Sequence, residues 1–158
     1  MNKVSRHIQA FFGFVLVLAL TVFELAQALN VASDLGGHTN MIDSFLRMGL
    51  AQPHDQWRSV NVLHLNKVVT IAAVLSHSVI ALCFAIGLLG DLGFKRAWGQ
   101  LLIRVGLFAG LSYYLLFTFA IASYFRISIS SGSDILIAYL AVFIFLSAPL
   151  SLFKEDTP

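Results

Sequence analysis

The sequence is poor in charge, proline and cysteine. Only 11% of the 158 residues are charged, and the formal net charge at pH 7 is +2. So small a positive charge excludes the basic surface that nucleic-acid binding requires, and no nucleic-acid partner is expected. The single cysteine, Cys83, excludes a disulfide bond within the chain. Binding classes that depend on strong charge and folds that depend on disulfides are therefore set aside.

Apolar residues, by contrast, are abundant. They make up 58% of the chain, and the mean hydropathy is +0.84. Soluble domains contain roughly half apolar and about a quarter charged residues. A small soluble domain leaves much of its surface exposed and could not hide this apolar content. We therefore expect a single integral membrane domain over residues 1–158, surrounded by the lipid bilayer.

Four long apolar runs predict transmembrane helices. They cover residues 8–29, 67–89, 101–124 and 135–153. About 20 apolar residues in a helix cross a hydrocarbon core ~30 Å thick. Because lipid offers no hydrogen bonds to the backbone, the predicted fold is an all-α membrane protein, a four-helix bundle. A signal peptide is the alternative for the first run, but Glu24 interrupts that pattern.

The distribution of basic residues predicts the orientation. With four spans, both termini and the turn at 91–99 lie on one side, which carries slightly more lysine and arginine. That side holds Lys3, Arg6, Lys95, Arg96, Arg104 and Lys154, and the other holds Arg47, Arg58, Lys67 and Arg126. The positive-inside rule then places both termini in the cytoplasm, in a bacterial inner membrane.

The polar stretch 30–66 forms the outer loop and contains a predicted amphipathic helix. Asn40 is the expected N-cap, and Pro53 follows the end of the pattern. This helix either lies in the membrane interface with Trp57 as an anchor, or packs on the mouth of the bundle. Its apolar face and the residues after it are candidate partner contacts. They are Phe45, Met48, Trp57 and Arg58.

Glu24 is the most unusual residue of the first span, because a carboxyl group within a membrane is costly. Thr21 and Gln27 fall on the same helical face and extend a polar stripe. Lys67 begins the second span on the same side of the membrane, so a Glu24–Lys67 ion pair is expected. A protonated acid, or a role in handling protons or substrate, is the alternative.

His77 lies near the middle of the second span. An imidazole at this depth either hydrogen-bonds between helices or ligates a cofactor such as haem b. A second axial ligand at that depth is missing, since His7, His38 and His54 fall outside the spans and His64 is too far along the same helix. No cofactor is therefore expected, with haem b or a quinone site as the alternative.

Gly106 and Gly110 form a Gly-x-x-x-Gly pattern in the third span, which lets another helix approach closely. Packing within the bundle and contact with a partner helix are both open. Neither the hydrolase, nucleotide-binding and metalloprotease motifs nor the spacing of a metal site occurs in the chain. No catalytic residues and no metal are predicted, so an enzyme is the less favoured class.

The loop resembles a family of small integral membrane proteins of bacteria. The shared residues are Asn30, Asp34, Asn40, Phe45-Leu46, Met48 and Trp57-Arg58. The resemblance implies a four-span protein and carries no activity. A tryptophan-rich stretch is expected between the last two spans, where this chain has ISISSGS at 127–133.

These observations lead to a non-catalytic hypothesis first. The chain is expected to be an accessory or assembly subunit of a bacterial inner-membrane complex, bound to other membrane subunits. A redox membrane anchor with His77 at a haem or quinone site is one alternative. A small proton-coupled transporter centred on Glu24 is the other.

Overall fold

A computed structural model describes residues 3–48, 53–92, 96–119, 135–142 and 144. All regular structure in these residues is helical. The elements are α1 (Lys3–Ser33), α2 (Leu35–Leu46), a 3-10 helix (Pro53–Arg58), α3 (Leu65–Leu92) and α4 (Arg96–Phe119). Residues 135–142 form a further helical segment.

Three of the four predicted spans are present as helices long and apolar enough to cross a membrane. They are Ala10–Ser33, Leu65–Leu92 and Ala97–Phe119. The fourth predicted span, residues 135–153, lies largely outside the described residues, although 135–142 are helical. The all-helical fold therefore holds for the described residues, with three helices that could cross a membrane, while the fourth span and the four-helix bundle remain predictions.

The helices are longer than the apolar runs that predicted them. α1 continues four residues beyond Leu29 to Ser33, and α3 extends from Leu65 to Leu92 rather than from 67 to 89. α4 begins at Arg96, five residues before the predicted start. Apolar composition marks the depth of the hydrocarbon core, whereas backbone hydrogen bonding continues through polar residues beyond it.

The predicted N-cap of the amphipathic helix is wrong. Asp34, not Asn40, caps α2, and its Oδ1 accepts a hydrogen bond of 2.9 Å from the Gly37 amide. Asp34 offers the same acceptor chemistry six residues earlier, directly after the end of α1. Gly36 and Gly37 therefore lie in the first turn of α2.

α2 packs along the first turns of α3. Thr39 Oγ1 donates to Thr70 Oγ1 over 3.3 Å, and Asn66 Nδ2 donates to Asp43 Oδ1 over 3.4 Å. Met48 follows α2 with a φ of 57° and is fully buried. Its burial anchors the end of α2 to the rest of the molecule.

α3 packs against both α1 and α4 and lies at the centre of the described core. Small residues allow its close approach to α4, since a Cβ atom at Gly99 would lie 2.6 Å from the Gly87 carbonyl oxygen. The core residues come from α1, α3, α4 and the segment 135–142. They include Val17, Leu20, Ile80, Phe84, Leu107, Tyr114 and Tyr139.

Candidate functional site

A buried carboxyl group lies where four helical segments meet. Glu24 of α1 has no exposed surface, and its Oε2 lies 2.6 Å from Nδ1 of His77 on α3. Its Oε1 accepts hydrogen bonds from the hydroxyl of Tyr114 on α4, at 3.1 Å, and from the hydroxyl of Tyr139. We call these four residues the Glu24 cluster.

The hydrogen bonds of the cluster offset the free-energy cost of burying the Glu24 carboxyl group in apolar surroundings. An unpaired carboxyl group at this depth costs several kcal/mol, whereas each hydrogen bond to it recovers about 1 kcal/mol or more. Three hydrogen-bonding partners from three different segments therefore explain how Glu24 can be fully buried. The same bonds connect α1 to α3, to α4 and to the segment 135–142.

Glu24 and His77 bring a carboxyl group and an imidazole into direct contact inside the core. These are two side-chain types that serve as proton donors and acceptors in proteins.

Aromatic rings surround the imidazole. The Tyr113 ring meets the His77 ring edge to face with 4.9 Å between centroids, and Tyr114 lies 6.1 Å away. Tyr113 stacks in turn on Phe117, one turn further along α4, at 6.3 Å. These contacts hold the ring of His77 in one orientation, with Nδ1 towards Glu24 and Nε2 on the other side of the ring.

A cleft of about 450 Å³ reaches the His77 side of the cluster. It extends along α3 from Thr70, beside α2, to His77, a distance of roughly 10 Å at 1.5 Å per residue. Residues of α1, α2, α3 and α4 line it. Its polar lining residues are Gln27, His38, Thr70, Ser76, His77, Tyr113 and Tyr114.

The predicted Glu24–Lys67 ion pair does not form. Lys67 is exposed in the first turn of α3, while both oxygens of Glu24 are engaged by His77, Tyr114 and Tyr139. Lys67 precedes His77 by ten residues, which is roughly 15 Å along the helix. The prediction placed Glu24 too near the membrane surface because it ended the first helix at Leu29.

The pairing of Glu24 with His77 was not recognised from the sequence, although each residue was singled out. With α1 ending at Ser33, Glu24 lies nine residues from that end, or roughly 14 Å. His77 lies at a comparable depth from the start of α3 at Leu65. Correct helix ends would therefore have placed the two residues at similar depth.

The tyrosines of the cluster were missed altogether. Tyr114 and Tyr139 lie within apolar runs, where a tyrosine often serves only as a large hydrophobic residue. Their hydroxyl groups identify them as donors once Glu24 is known to be buried. Gln27, which belongs to the predicted polar stripe of α1, lines the cleft and lies outside the cluster.

His38 was excluded as a ligand because it lies outside the predicted spans, yet it lines the same cleft as His77. Its Nδ1 lies 3.0 Å from the backbone oxygen of Asp34. Within the described ranges, no group of three histidine, cysteine or acidic residues comes close enough to hold a metal ion. The haem and quinone alternatives remain predictions.

The predicted partner contacts lie in two places. Phe45 is half-buried and Met48 fully buried at the end of α2, while Trp57 is 77% exposed. The guanidinium carbon of Arg58 lies 5.1 Å from the Trp57 ring centroid, which is a cation–π contact. Whether these residues meet a partner or the membrane interface remains a prediction.

Gly106 and Gly110 of α4 face aromatic rings of this chain. A Cβ atom at Gly106 would lie 2.8 Å from the Phe84 ring, and one at Gly110 would overlap the Tyr139 ring. Gly110 therefore makes room for a tyrosine of the Glu24 cluster. The Gly-x-x-x-Gly pattern here serves contacts within the molecule.

No protein-family model, no curated protein and no solved structure matches this chain. The resemblance of residues 30–58 thus rests on those residues alone.

Proposed function

We propose that this protein exchanges a proton within the membrane at the Glu24–His77 pair, as a small proton-coupled membrane protein. The observation that carries the proposal is the hydrogen bond of 2.6 Å between two fully or nearly fully buried titratable side chains. Intramembrane ionisable residues are rare and costly, and they commonly serve proton relays or transport. Here the pair also borders a cleft through which a proton or a ligand can arrive.

The roles of the residues follow from their positions. Glu24 holds the proton, and His77 passes it between the cluster and the cleft, because Nδ1 faces Glu24 and Nε2 faces away from it. Tyr114 and Tyr139 stabilise the ionised form of Glu24 by donating to Oε1. Release of a proton from the pair then leaves a carboxylate that three donors already solvate.

Infrared difference spectroscopy in proteoliposomes tests this proposal. Spectra recorded at two pH values should show a carboxyl C=O band that changes with pH in the natural protein. The band should be absent from Glu24→Gln, which keeps the shape of the side chain but cannot ionise. Asp43→Asn is the matched control, because Asp43 is a partly exposed surface carboxylate paired with Arg47 at 2.7 Å.

Two results would contradict the proposal. The first is a carboxyl spectrum of the natural protein that contains no band removed by Glu24→Gln. The second is a Glu24 band that stays constant over the whole pH range in which the protein remains folded. In either case the cluster is a structural contact between helices.

That structural role belongs to the non-catalytic hypothesis, in which the chain is an accessory or assembly subunit bound to other membrane subunits. The three bonds to Glu24 would then only hold the helices in one arrangement. Co-purification in mild detergent tests this hypothesis. A monomer without partners, together with a pH-sensitive Glu24 band, would exclude it.

The redox-anchor hypothesis gains one observation, since His38 and His77 line the same cleft. A haem iron would have to bind Nε2 of His77, because Nδ1 is engaged by Glu24. The absorption spectrum of the purified protein tests this directly. A Soret band that disappears in His77→Ala supports a haem, and a spectrum without such a band excludes it.

The proposed location is a bacterial inner membrane with both termini in the cytoplasm and α2 on the outer side. This orientation depends on a fourth span after residue 134 and on the basic residues near the termini. Cysteine labelling from outside the cell tests this orientation at the loop between α2 and α3. Ser59→Cys should react with an impermeant reagent before lysis, because Ser59 is exposed beside the 3-10 helix.

A further inference from the structure

The cleft beside His77 has mostly apolar walls and polar side chains at both ends, with His38 and Thr70 beside α2 and Ser76 and His77 at the inner end. Its volume of about 450 Å³ falls in the range of roughly 300–1,000 Å³ typical of small-molecule sites. Residues of α1, α2, α3, α4 and the segment 135–142 line it, with Val31, Met41, Ile42 and Ala73 among the apolar residues. Such a combination selects an amphipathic molecule rather than an ion.

The position of the cleft restricts the charge of its ligand. The inner end lies in the middle of α3, a helix of 28 residues with strong apolar character. A charged ligand would lose its hydration there, and the described lining offers no lysine or arginine to compensate an anion. A neutral, lipid-soluble molecule meets no such cost.

The inner end combines aromatic rings with hydrogen-bonding side chains. Tyr113 stands edge-on to His77 at 4.9 Å and stacks with Phe117 at 6.3 Å, so aromatic surfaces border the polar end. His77 is oriented by its bond to Glu24, and Ser76 lines the cleft one residue before it. A carbonyl or hydroxyl group on a planar ring can bond to these side chains while the ring contacts the aromatic residues.

We propose that the cleft binds a neutral lipophilic compound with a carbonyl-bearing ring, of the benzoquinone class. Its ring lies at the His77 end, and its apolar substituent contacts Met41, Ile42 and Val31 towards α2. The proposal deepens the proposed function by naming the ligand class of the cleft beside the proton-exchanging pair. It concerns binding and assigns no electron transfer to the protein.

Calorimetric titration of the protein in nanodiscs with decylubiquinone tests this site. Saturable binding is expected beyond the partition of the compound into empty nanodiscs. Ala73→Phe should weaken binding by at least about tenfold, because a phenyl group fills the cleft and displaces a ring of similar size. Ala26→Phe is the matched control, since Ala26 is exposed on α1 at similar depth and does not line the cleft.

Ala72→Phe provides a second blocked variant in case Ala73→Phe does not fold. Ala72 lines the cleft but is exposed, so the larger side chain is more easily accommodated. Circular dichroism and elution volume establish the fold of each variant. The proposal is overturned if titration of the natural protein shows no saturation. It is also overturned if both blocked variants fold and bind decylubiquinone with the affinity of the natural protein.

The result is distinguishable from that of the infrared experiment. Absence of a pH-sensitive Glu24 band from the natural protein, with intact quinone binding, contradicts proton exchange and leaves the ligand site standing. A pH-sensitive Glu24 band in a natural protein that does not bind quinone contradicts the ligand site and leaves proton exchange standing. Glu24→Gln should still bind decylubiquinone, because Glu24 does not contact the ligand. A several-fold change in affinity is expected, since Glu24 orients His77.

Discussion

His77 Nδ1 lies 2.6 Å from Glu24 Oε2 and joins α3 to α1 inside the core. The two residues are 53 positions apart in the chain, and both are almost completely buried. This contact, together with the bonds from Tyr114 and Tyr139, links four helical segments to one carboxyl group. The stability of the protein should therefore depend strongly on it.

Removing either partner of the pair should destabilise the protein. Glu24→Ala should lower the free energy of unfolding by about 3 kcal/mol, since it leaves three buried polar side chains without their hydrogen-bonding partner. A double-mutant cycle with His77→Ala should give a coupling energy of about 1–2 kcal/mol, because the residues are in direct contact. Unfolding in mixed micelles measures both quantities, and strictly additive effects would show that the pair is not coupled.

Gly110 should tolerate no side chain. A methyl group would overlap the Tyr139 ring, so Gly110→Ala should displace Tyr139 from Glu24 and cost about 1–3 kcal/mol by overpacking. Gly36→Ala is the control, because a Cβ atom there meets nothing within 4 Å. The control should be neutral or more stable by up to about 1 kcal/mol, as helical alanine is preferred over glycine. Equal stability of the two variants would contradict the packing at Gly110.

Lys67 should be independent of the Glu24 cluster. Lys67→Gln should leave the Glu24 infrared band and the free energy of unfolding unchanged within about 0.5 kcal/mol, since Lys67 is exposed. His77→Gln should shift the same band, because it removes a titratable neighbour of Glu24. A shift of the band in Lys67→Gln would restore the ion pair that the sequence predicted.

The cap at Asp34 should control the stability of α2. Asp34→Ala removes the acceptor for the Gly37 amide and should destabilise α2 by about 1 kcal/mol, whereas Asp34→Asn should have little effect. Hydrogen exchange followed by mass spectrometry reports on residues 35–46 separately from α3. Asn40→Ala serves as the comparison, because Asn40 lies inside α2 and caps nothing. Faster exchange in Asn40→Ala than in Asp34→Ala would contradict this assignment.

Much of the fold was predictable because hydrophobicity is a local signal. The first three apolar runs are long enough to span a bilayer, and each is a helix in the structure. Helix ends were less predictable, since a polar residue such as Asn30 can continue a helix whose backbone is hydrogen-bonded. The error of four residues at the end of α1 was sufficient to pair Glu24 with the wrong partner.

The candidate site was predictable only in its separate parts. Glu24 and His77 are conspicuous in a sequence because polar groups in apolar runs are costly. Tyr114 and Tyr139 are not, because a tyrosine in an apolar run has an apolar ring and reveals no partner for its hydroxyl. His38 was set aside for its place outside the spans, and the packing of α2 against α3 then brought it to the cleft.

The sequence by itself determined that the chain forms helices long and apolar enough to cross a membrane, and which residues are unusual within them. Composition and run length suffice for that, because each segment meets the bilayer independently. Only the tertiary structure decided that Glu24 bonds to His77 and two tyrosines, and that a cleft reaches them. Those contacts depend on the rotation and relative height of four helical segments, and no single segment encodes either quantity.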